Sequence, residues 1–266
     1  MDKTKIDWCD STWNPVTGCL HGCEYCYAEK IAERFQGEIV GKETVKRITI
    51  EDGRMIWELL KPVHKIDGKI SPYPCGFIPT FHQYRLNDYI SKKRRNIFVC
   101  SMADLFGEWV PDSWIEEVFR ACEKAPQHNY LFLTKNPRRY YEMYEKDKNL
   151  LPAGANMWYG FSITNNDYDG WYTDGRYTFA SIEPILQPIT RIPFVDWIII
   201  GAETGRRKNK VVPKREWIED IVNACREADI PVFMKSSLAD IWGEQLIQEF
   251  PKGLMKPESL KERDEN

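Results

Sequence analysis

The chain has 266 residues, of which 42% are hydrophobic and 13% aromatic, so it can bury a sizeable core. Its formal net charge of −3 excludes a global electrostatic attraction to nucleic acid or anionic membranes, which would have to come from local patches. No apolar run approaches the roughly 20 residues that span a bilayer, and residues 1–5 lack the apolar core of a signal peptide, so we expect a cytoplasmic protein without a membrane partner.

The first predicted element is a strand at Ile6–Asp10, and a polar stretch leads from it into a loop with three cysteines. Cys19, Cys23 and Cys26 follow C-x3-C-x2-C spacing. Thiolates at such spacing hold iron–sulfur clusters or zinc, and each of these usually takes four protein ligands. Three thiolates would leave one iron of a four-iron cluster open to a small molecule.

A helix is predicted immediately after the cysteine loop. Tyr27–Phe35 carries apolar residues at helical spacing, and Gly37 follows as a stop signal. Residues 38–76 then read as an irregular insertion that contains one helix near Met55–Leu60.

Beyond the insertion, strand-like runs alternate with helical patterns. The predicted strands are Phe77–Phe81, Asn96–Ser101, Tyr130–Thr134, Met157–Ser162, Thr178–Ile182, Trp197–Gly201 and Pro231–Met234. Apolar faces predict helices at Asp112–Glu123 and Arg215–Ala228. Alternation of this kind indicates an α/β fold with a parallel sheet. We expect one domain over residues 1–258, a parallel (βα) barrel of six to eight strands, and a polar tail at 259–266.

Polar residues follow the predicted strands, and in such a barrel the carboxyl ends of the strands build the active site. They are Thr80, His82, Ser101, Asp104, Thr134, Lys135, Ser162, Thr164, Glu183, Glu203, Lys235 and Ser236. About half of them are expected only to cap the following turn, Thr164 and Ser236 above all. Glu183 and Glu203 border apolar strands, where a carboxylate needs a cation or a bound ligand. Lys135 is well placed to meet a carboxylate.

The cysteine motif, with Tyr25 just before its last cysteine, resembles the signature of the radical S-adenosylmethionine (SAM) superfamily. Five further blocks resemble a phage-associated family of unknown activity that also occurs in bacterial genomes, in some cases paired with three-Cys-motif partner proteins. These blocks are Trp13–Cys19, Ser101–Phe106, Leu133–Lys135, Ser181–Pro184 and Gly201–Gly205. The arrangement of Ser101, Thr134, Lys135 and Ser162 is similar to the spore photoproduct lyase branch, where equivalent positions bind SAM.

The resemblance implies a radical-SAM-type barrel in which Cys19, Cys23 and Cys26 hold a [4Fe-4S] cluster. It implies that SAM is the cofactor and is cleaved reductively to a 5′-deoxyadenosyl radical. The implied SAM-binding residues are Tyr25, Thr80, Ser101, Asp104, Thr134, Lys135, Ser162, Glu183 and Glu203. A reducing partner such as flavodoxin or ferredoxin and a three-Cys-motif partner protein are further expectations. The superfamily's glycine-rich second-strand motif is absent, and Pro79–His82 occupies its place. Neither the substrate nor a catalytic residue is identified.

Three basic clusters bear on the substrate. Lys92–Arg95 precedes a strand and belongs at the amino-end rim, where a solvated face is expected. Arg138-Arg139 and Arg206–Lys210 follow strands and border the mouth of the predicted barrel. A phosphate-bearing substrate, such as a nucleotide or nucleic acid, is therefore a candidate.

The residues alone leave two other interpretations open. His21 or Cys9 could complete a four-ligand zinc site in a non-enzymatic interaction protein. Alternatively, the barrel could keep a cluster for structure or electron transfer only. Cys75 is a further candidate ligand, whereas Cys100, Cys122 and Cys225 lie in apolar patterns where a free cysteine acts as a small hydrophobe.

Overall fold

The computed structural model describes residues 4–36, 39–40, 45–50, 52–170 and 175–257. In chain order the strands are β1 (Ser11–Trp13), β2 (Val16–Thr17), β3 (Ile39–Val40), β4 (Val45–Thr49), β5 (Met55–Leu59), β6 (His64–Lys65), β7 (Thr80–His82), β8 (Asn96–Val99), β9 (Asn129–Thr134), β10 (Met157–Ile163), β11 (Tyr177–Ile182), β12 (Ile198–Ile200) and β13 (Val232–Met234). The α-helices are α1 (Tyr27–Gln36), α2 (Asp112–Glu123), α3 (Arg138–Lys146), α4 (Arg215–Glu227) and α5 (Ala239–Trp242).

Seven strands form one sheet in the order β1-β8-β9-β10-β11-β12-β13, and every neighbouring pair is parallel. The sheet curls into a half-barrel, so the mixed α/β class and the parallel sheet are confirmed, whereas the described residues do not close it into a barrel. Because each strand enters from the same end, all carboxyl ends meet at one rim.

Alternation along the strands gives the sheet two apolar faces. In β8, Ile97 and Val99 belong to the core cluster that contains Trp114 and Ile115 of α2. Phe98 lies between them and belongs to a separate cluster on the opposite, concave face. That concave-face cluster is largely aromatic, and its fully or nearly buried members are Trp8, Cys9, Phe98, Leu131, Trp158, Phe179, Trp197, Ile199, Phe233 and Leu254.

The helices predicted after the cysteine loop, at Asp112–Glu123 and at Arg215–Ala228 are confirmed, with α4 ending one residue earlier. The first predicted strand, Ile6–Asp10, is wrong, because β1 begins at Ser11. The alternation of apolar residues at 6–10 has another cause. Trp8 and Cys9 are buried against the concave face of the sheet rather than paired in it.

The Phe77–Phe81 prediction is also wrong in its placement. The strand found there, Thr80–His82, joins a second sheet of order β2-β7-β5-β4 and pairs antiparallel with β2. The parallel sheet therefore has seven strands, within the six to eight expected but not the eight that the runs suggested.

The insertion contains strands where a helix was predicted. Met55–Leu59 is a strand that pairs antiparallel with β4 and parallel with β7, not a helix. Ile56 and Leu59 are buried three residues apart, which imitates helical spacing. The signal against a helix was the Asp52-Gly53 pair, where Gly53 has φ +83°, as in a hairpin turn. The tail at 259–266 lies outside the described residues, as does part of the insertion.

No helix in the described ranges combines the length and apolar character needed to cross a membrane.

Candidate functional site

The cysteine loop begins at Gly18, which is held between two other segments. Its backbone N–H donates to the Met102 carbonyl at 2.9 Å, and that of Cys19 donates to the Phe77 carbonyl at 3.2 Å. Gly18 has φ +85°, and a Cβ there would lie 2.3 Å from the Ile78 carbonyl oxygen. Only glycine fits this position, which fixes the direction in which the loop leaves β2.

The loop ends in a turn that leads directly into α1. The Cys26 N–H donates to the Cys23 carbonyl at 2.9 Å, and the Cys26 sulfur accepts the Glu29 N–H at 3.4 Å. The positive end of the helix dipole is therefore directed at that sulfur. Burial raises the pKa of the Cys19 thiol to about 12, so binding of a metal there would release a proton.

All three thiols line one cavity of about 210 Å³ at the carboxyl rim of the half-barrel. The predicted cofactor residues that line the same cavity are Tyr25, Ser101, Asp104, Thr134, Lys135, Ser162, Glu183 and Glu203. Strands across the width of the sheet thus contribute side chains to one cavity, because their carboxyl ends converge.

Thr80 is the predicted residue that the structure does not bring to this cavity. It is buried in β7 of the second sheet, where its hydroxyl donates to the Ile78 carbonyl at 2.8 Å. His82 likewise hydrogen-bonds to Thr17 at 2.8 Å inside that sheet. The assignment of Thr80 depended on a strand of the parallel sheet that is not present.

Asp104 is the most connected of the predicted cofactor residues, but its carboxylate is occupied by the protein itself. Oδ1 accepts the Thr134 hydroxyl at 2.7 Å and the Phe106 N–H at 3.0 Å. Oδ2 accepts the Lys135 N–H at 2.8 Å and lies 2.7 Å from Nε2 of His21. Asp104 therefore joins the cysteine loop to the ends of β8 and β9 and acts as a positioning residue.

Lys135 directs its ammonium group toward the cysteine loop. Nζ donates to the Tyr25 hydroxyl at 3.2 Å and lies 5.2 Å from the centroid of the Tyr25 ring. Desolvation lowers the pKa of Lys135, but Tyr25, Cys23 and Asp104 outweigh it, and the net shift is upward. An ammonium without a carboxylate partner among the described side chains is thus held beside the thiols.

Glu183 is paired with a lysine from another strand end. Its carboxylate pairs with Lys235, which follows β13, and both side chains are partly buried in the cavity wall. Gly201 makes room for this pair, since a Cβ there would lie 3.1 Å from Lys235 Cδ and 3.3 Å from Glu183.

Glu203 is neutralised by a buried ion pair. Its two oxygens accept Nε and Nη2 of Arg207, both at 2.8 Å, and Arg207 also reaches Glu24 of the cysteine loop at 3.3 Å. The hydrogen bonds from Arg207 hold the pKa of Glu203 below its usual range. Arg207 therefore links the loop after β12 to the cysteine loop.

Hydroxyl groups supply the remaining polar lining. Ser101 donates to Asn14 Oδ1 at 3.2 Å. Ser162 and Ser181 pair in register on β10 and β11, so their hydroxyls lie on the same side of the sheet. Sequence reasoning missed Ser181 as a lining residue, although its register with Ser162 could have indicated it. Thr204 also lines the cavity and was missed.

Aromatic and aliphatic side chains complete the lining and continue into the concave-face core. They include Trp8, Phe98 and Leu133. The indole nitrogen of Trp8 is buried and has no hydrogen-bond partner in the described part of the chain. The sequence places Trp8 in a predicted strand and among the aromatic residues near the mouth that could exclude water, and the structure puts it in the cavity wall.

The two candidates for a fourth protein ligand are otherwise engaged. His21 contacts Asp104 through Nε2 and packs edge-on against Trp109, with ring centroids 4.8 Å apart. Cys9 is buried in the concave-face core, and neither Cys9 nor Cys75 lines the cavity. Among the residues described, no group of three or more His, Cys, Asp or Glu side chains is arranged to hold a metal ion as it stands.

The donor set nevertheless fits an iron–sulfur cluster chemically. Three cysteine side chains from one loop, each partly exposed, line a common cavity beside a lysine ammonium. Thiolates are the usual ligands of such clusters. Cys100, Cys122 and Cys225 are buried in the core, as predicted, and play no part in this lining.

Comparison with known proteins gives one match. The model of a family described as protein of unknown function (DUF5131) matches residues 3–257. Neither a curated protein nor a solved structure matches the chain.

Proposed function

The chain belongs to the DUF5131 family, and we propose that it is a radical SAM enzyme with a fold of the radical-SAM barrel type. When bound, a [4Fe-4S] cluster and SAM would supply reductive cleavage to a 5′-deoxyadenosyl radical that acts on a substrate. The observation that carries the proposal is the shared cavity. Three cysteines of C-x3-C-x2-C spacing and polar residues from the carboxyl ends of the parallel strands line one space of about 210 Å³.

Each part of the lining has a role in this proposal. Cys19, Cys23 and Cys26 would hold the cluster as thiolates, which leaves one iron for SAM. Lys135 would bind the SAM carboxylate through a charge-assisted hydrogen bond. The hydroxyls of Ser162 and Ser181 are available to polar groups of the cofactor.

The apolar lining has a separate role. Trp8, Phe98 and Leu133 exclude water from the space between the thiols and the strand ends. Asp104 and His21 position the cysteine loop and do not contact the cofactor.

Partners and location belong to the same proposal. A one-electron donor such as flavodoxin or ferredoxin must reduce the cluster, and a three-Cys-motif protein is a candidate partner. The cysteines of the chain are free. A reducing cytoplasm, where thiols persist, is the proposed location.

The test is anaerobic reconstitution with iron and sulfide, followed by incubation with SAM and dithionite. We expect about four irons per chain and formation of 5′-deoxyadenosine. Cys19→Ser, Cys23→Ser and Cys26→Ser should each lose the iron. Cys225→Ser is the matched control, because that thiol is buried far along the chain and outside the cavity lining.

Other results would contradict the proposal in distinct ways. One tightly held zinc without sulfide would indicate the zinc-binding interaction protein. A stable cluster with no SAM cleavage would indicate a structural or electron-transfer role.

A further inference from the structure

A strongly basic loop follows β12. Residues 204–214 contain no acidic residue, and their positive residues are Arg206, Arg207, Lys208, Lys210 and Lys214. The whole chain, by contrast, has a net charge of −3. This basic loop is therefore a local concentration of positive charge on a weakly acidic protein.

The basic loop lies at the rim of the candidate cavity. Glu203 and Thr204, at its start, line the cavity. Arg207 contacts Glu24, which lies between Cys23 and Tyr25 in the cysteine loop, at 3.3 Å. The loop is thus held directly beside the thiols.

Within residues 206–210, the three positive residues other than Arg207 are exposed: Arg206, Lys208 and Lys210. None of them forms an ion pair with an acidic residue that the structure describes, although the charge of Lys210 contributes to the lowered pKa of Glu203. The other basic strand-end pair differs, because Arg138 pairs with Glu142 at 3.0 Å and Arg139 with Asp112 at 2.7 Å. In these two basic clusters at the mouth, the positive side chains that are not in ion pairs therefore lie in the basic loop.

The size of the cavity indicates where a substrate must lie. Pockets that enclose a drug-sized ligand usually measure about 300–1,000 Å³, and this cavity measures about 210 Å³. If SAM occupies it, as proposed, little space remains for a substrate. Most of a substrate would then extend over the rim, where the free cations are.

An aromatic surface accompanies these charges. The Tyr27 side chain lines the cavity, and the residue is 47% exposed. Its hydroxyl is fixed by donation to the Ser101 carbonyl at 2.8 Å. An exposed, oriented ring that lines the same cavity as Glu203 and Thr204 is a surface on which a base can stack.

We propose that the substrate is a single-stranded nucleic acid, whose phosphates lie on Arg206, Lys208 and Lys210 while one base stacks on Tyr27 at the mouth of the cavity. The inference rests on the proposed function for the chemistry but not for the binding. A duplex is disfavoured because a paired base must leave its stack to reach an enclosed site.

Fluorescence anisotropy with a labelled strand of about 12 nucleotides, as DNA and as RNA of the same sequence, tests the proposal. The variants are Arg206→Ala/Lys208→Ala and a control, Lys93→Ala/Arg94→Ala. Each removes one Arg and one Lys, and the control pair is exposed just before β8, at the amino ends of the strands. Arg207 stays unchanged because it pairs with Glu203.

Wild type should bind at least one of the two strands, with an affinity that falls between about 50 and 200 mM salt. The Arg206→Ala/Lys208→Ala variant should bind at least about tenfold more weakly, and its salt slope should fall by about 1.4, for two lost phosphate contacts. The control should bind like wild type. If both variants bind the strand equally weakly, the loss of affinity reflects the change in overall charge, and the proposal is overturned.

Two further arms separate other occupants. If a duplex displaces the labelled strand better than the unlabelled strand does, the single-strand assignment is wrong. If polyglutamate displaces it equally well, the rim is a docking surface for an acidic protein instead.

Failure of the inference and failure of the proposed function give different results. The Cys19→Ser/Cys23→Ser/Cys26→Ser variant should bind the strand without holding iron. If wild type also binds the strand but never acquires iron, the rim assignment stands and the radical SAM proposal fails. If wild type acquires iron and cleaves SAM but binds no strand, the reverse holds.

Discussion

Nε2 of His21 lies 2.7 Å from Oδ2 of Asp104, and this contact ties the loop of the three cysteines to the ends of β8 and β9. His21 belongs to the loop, eighty-three positions before Asp104 in the chain. The same carboxylate accepts the Lys135 N–H, so thiols and ammonium share one anchor. The contact indicates that His21 fixes the position of the cysteine loop.

His21→Ala should keep its iron after reconstitution but lose stability. The change leaves part of a buried carboxylate without its partner, which costs about 1–3 kcal/mol in the free energy of unfolding. Urea unfolding and iron analysis of the same preparation measure both quantities. Complete loss of iron with unchanged stability would instead make His21 a fourth ligand.

Asp104→Asn should be more damaging than His21→Ala. The asparagine amide has an NH2 group where the carboxylate has a second oxygen. This NH2 group cannot accept the hydrogen bonds that the N–H and hydroxyl groups around Asp104 donate. We expect an additional loss of about 1–3 kcal/mol in unfolding free energy. If the two variants have equal free energies of unfolding, the contacts of Asp104 with residues other than His21 do not contribute to stability.

Lys135→Met should weaken SAM binding while the cluster and thermal midpoint stay unchanged. Lys135 has no structural ion pair with Glu183, because Glu183 pairs with Lys235. Loss of one charge-assisted hydrogen bond, on the order of 1.5–3 kcal/mol, reduces affinity about ten- to hundredfold.

Lys148→Met is the matched control for this prediction. Lys148 also lies over a tyrosine ring, at 5.4 Å from the Tyr144 centroid, but outside the cavity lining. Isothermal titration with SAM on both reconstituted variants gives the comparison. Unchanged affinity in Lys135→Met, with a lowered midpoint, would show that Lys135 is a structural residue.

Arg207→Met should destabilise the protein more at pH 7.5 than at pH 4.5. The Glu203 side chain is only 2% exposed, and its pKa is depressed by Arg207. In wild type the pair's contribution is complete above the unfolded glutamate pKa and is lost as pH falls through the lower folded pKa. In the variant, Glu203 is buried without its partner, so its charged form becomes unfavourable as pH rises.

Breaking this pair should cost more unfolding free energy than breaking an exposed pair, because the Glu203 side chain is only 2% exposed. Urea unfolding at both pH values measures the difference. Arg226→Met, which breaks the exposed pair with Glu249, should cost at most about 1 kcal/mol. Equal destabilisation at the two pH values would contradict the assignment.

Gly18→Ala should prevent formation of the cysteine site, whereas Gly22→Ala should not. Both glycines have positive φ, +85° and +65°. An added Cβ meets the Ile78 carbonyl at 2.3 Å in the first case and no atom within 4 Å in the second. Gly22→Ala should therefore cost about 1–2 kcal/mol, and Gly18→Ala more than about 3 kcal/mol. Unfolding free energy and iron content measure both, and similar values would exclude the steric explanation.

The sequence alone determined the features that depend on local pattern. Helices α2 and α4 follow from apolar spacing, because each buries one face. The same spacing predicted α1, although this helix buries only Ala28 and Ala32 and leaves Ile31 and Phe35 exposed. The cysteine motif and the polar residues after the strands could be read directly, since carboxyl ends of parallel strands meet at one rim. That rule was sufficient to predict most of the polar strand-end residues that line the cavity, but not its apolar lining.

The tertiary structure alone decided how those residues are paired and which strands share a sheet. Lys235 meets Glu183 across fifty-two positions, and Asp104 meets His21 across eighty-three. Neither spacing leaves a periodic signal, so Lys135 and Lys235 were equally good partners for Glu183 in the sequence. Thr80 and Met55–Leu59 were misplaced because apolar spacing does not specify the neighbouring strand. Pairing is fixed only when long-range hydrogen bonds and burial select one arrangement among many that have the same local pattern.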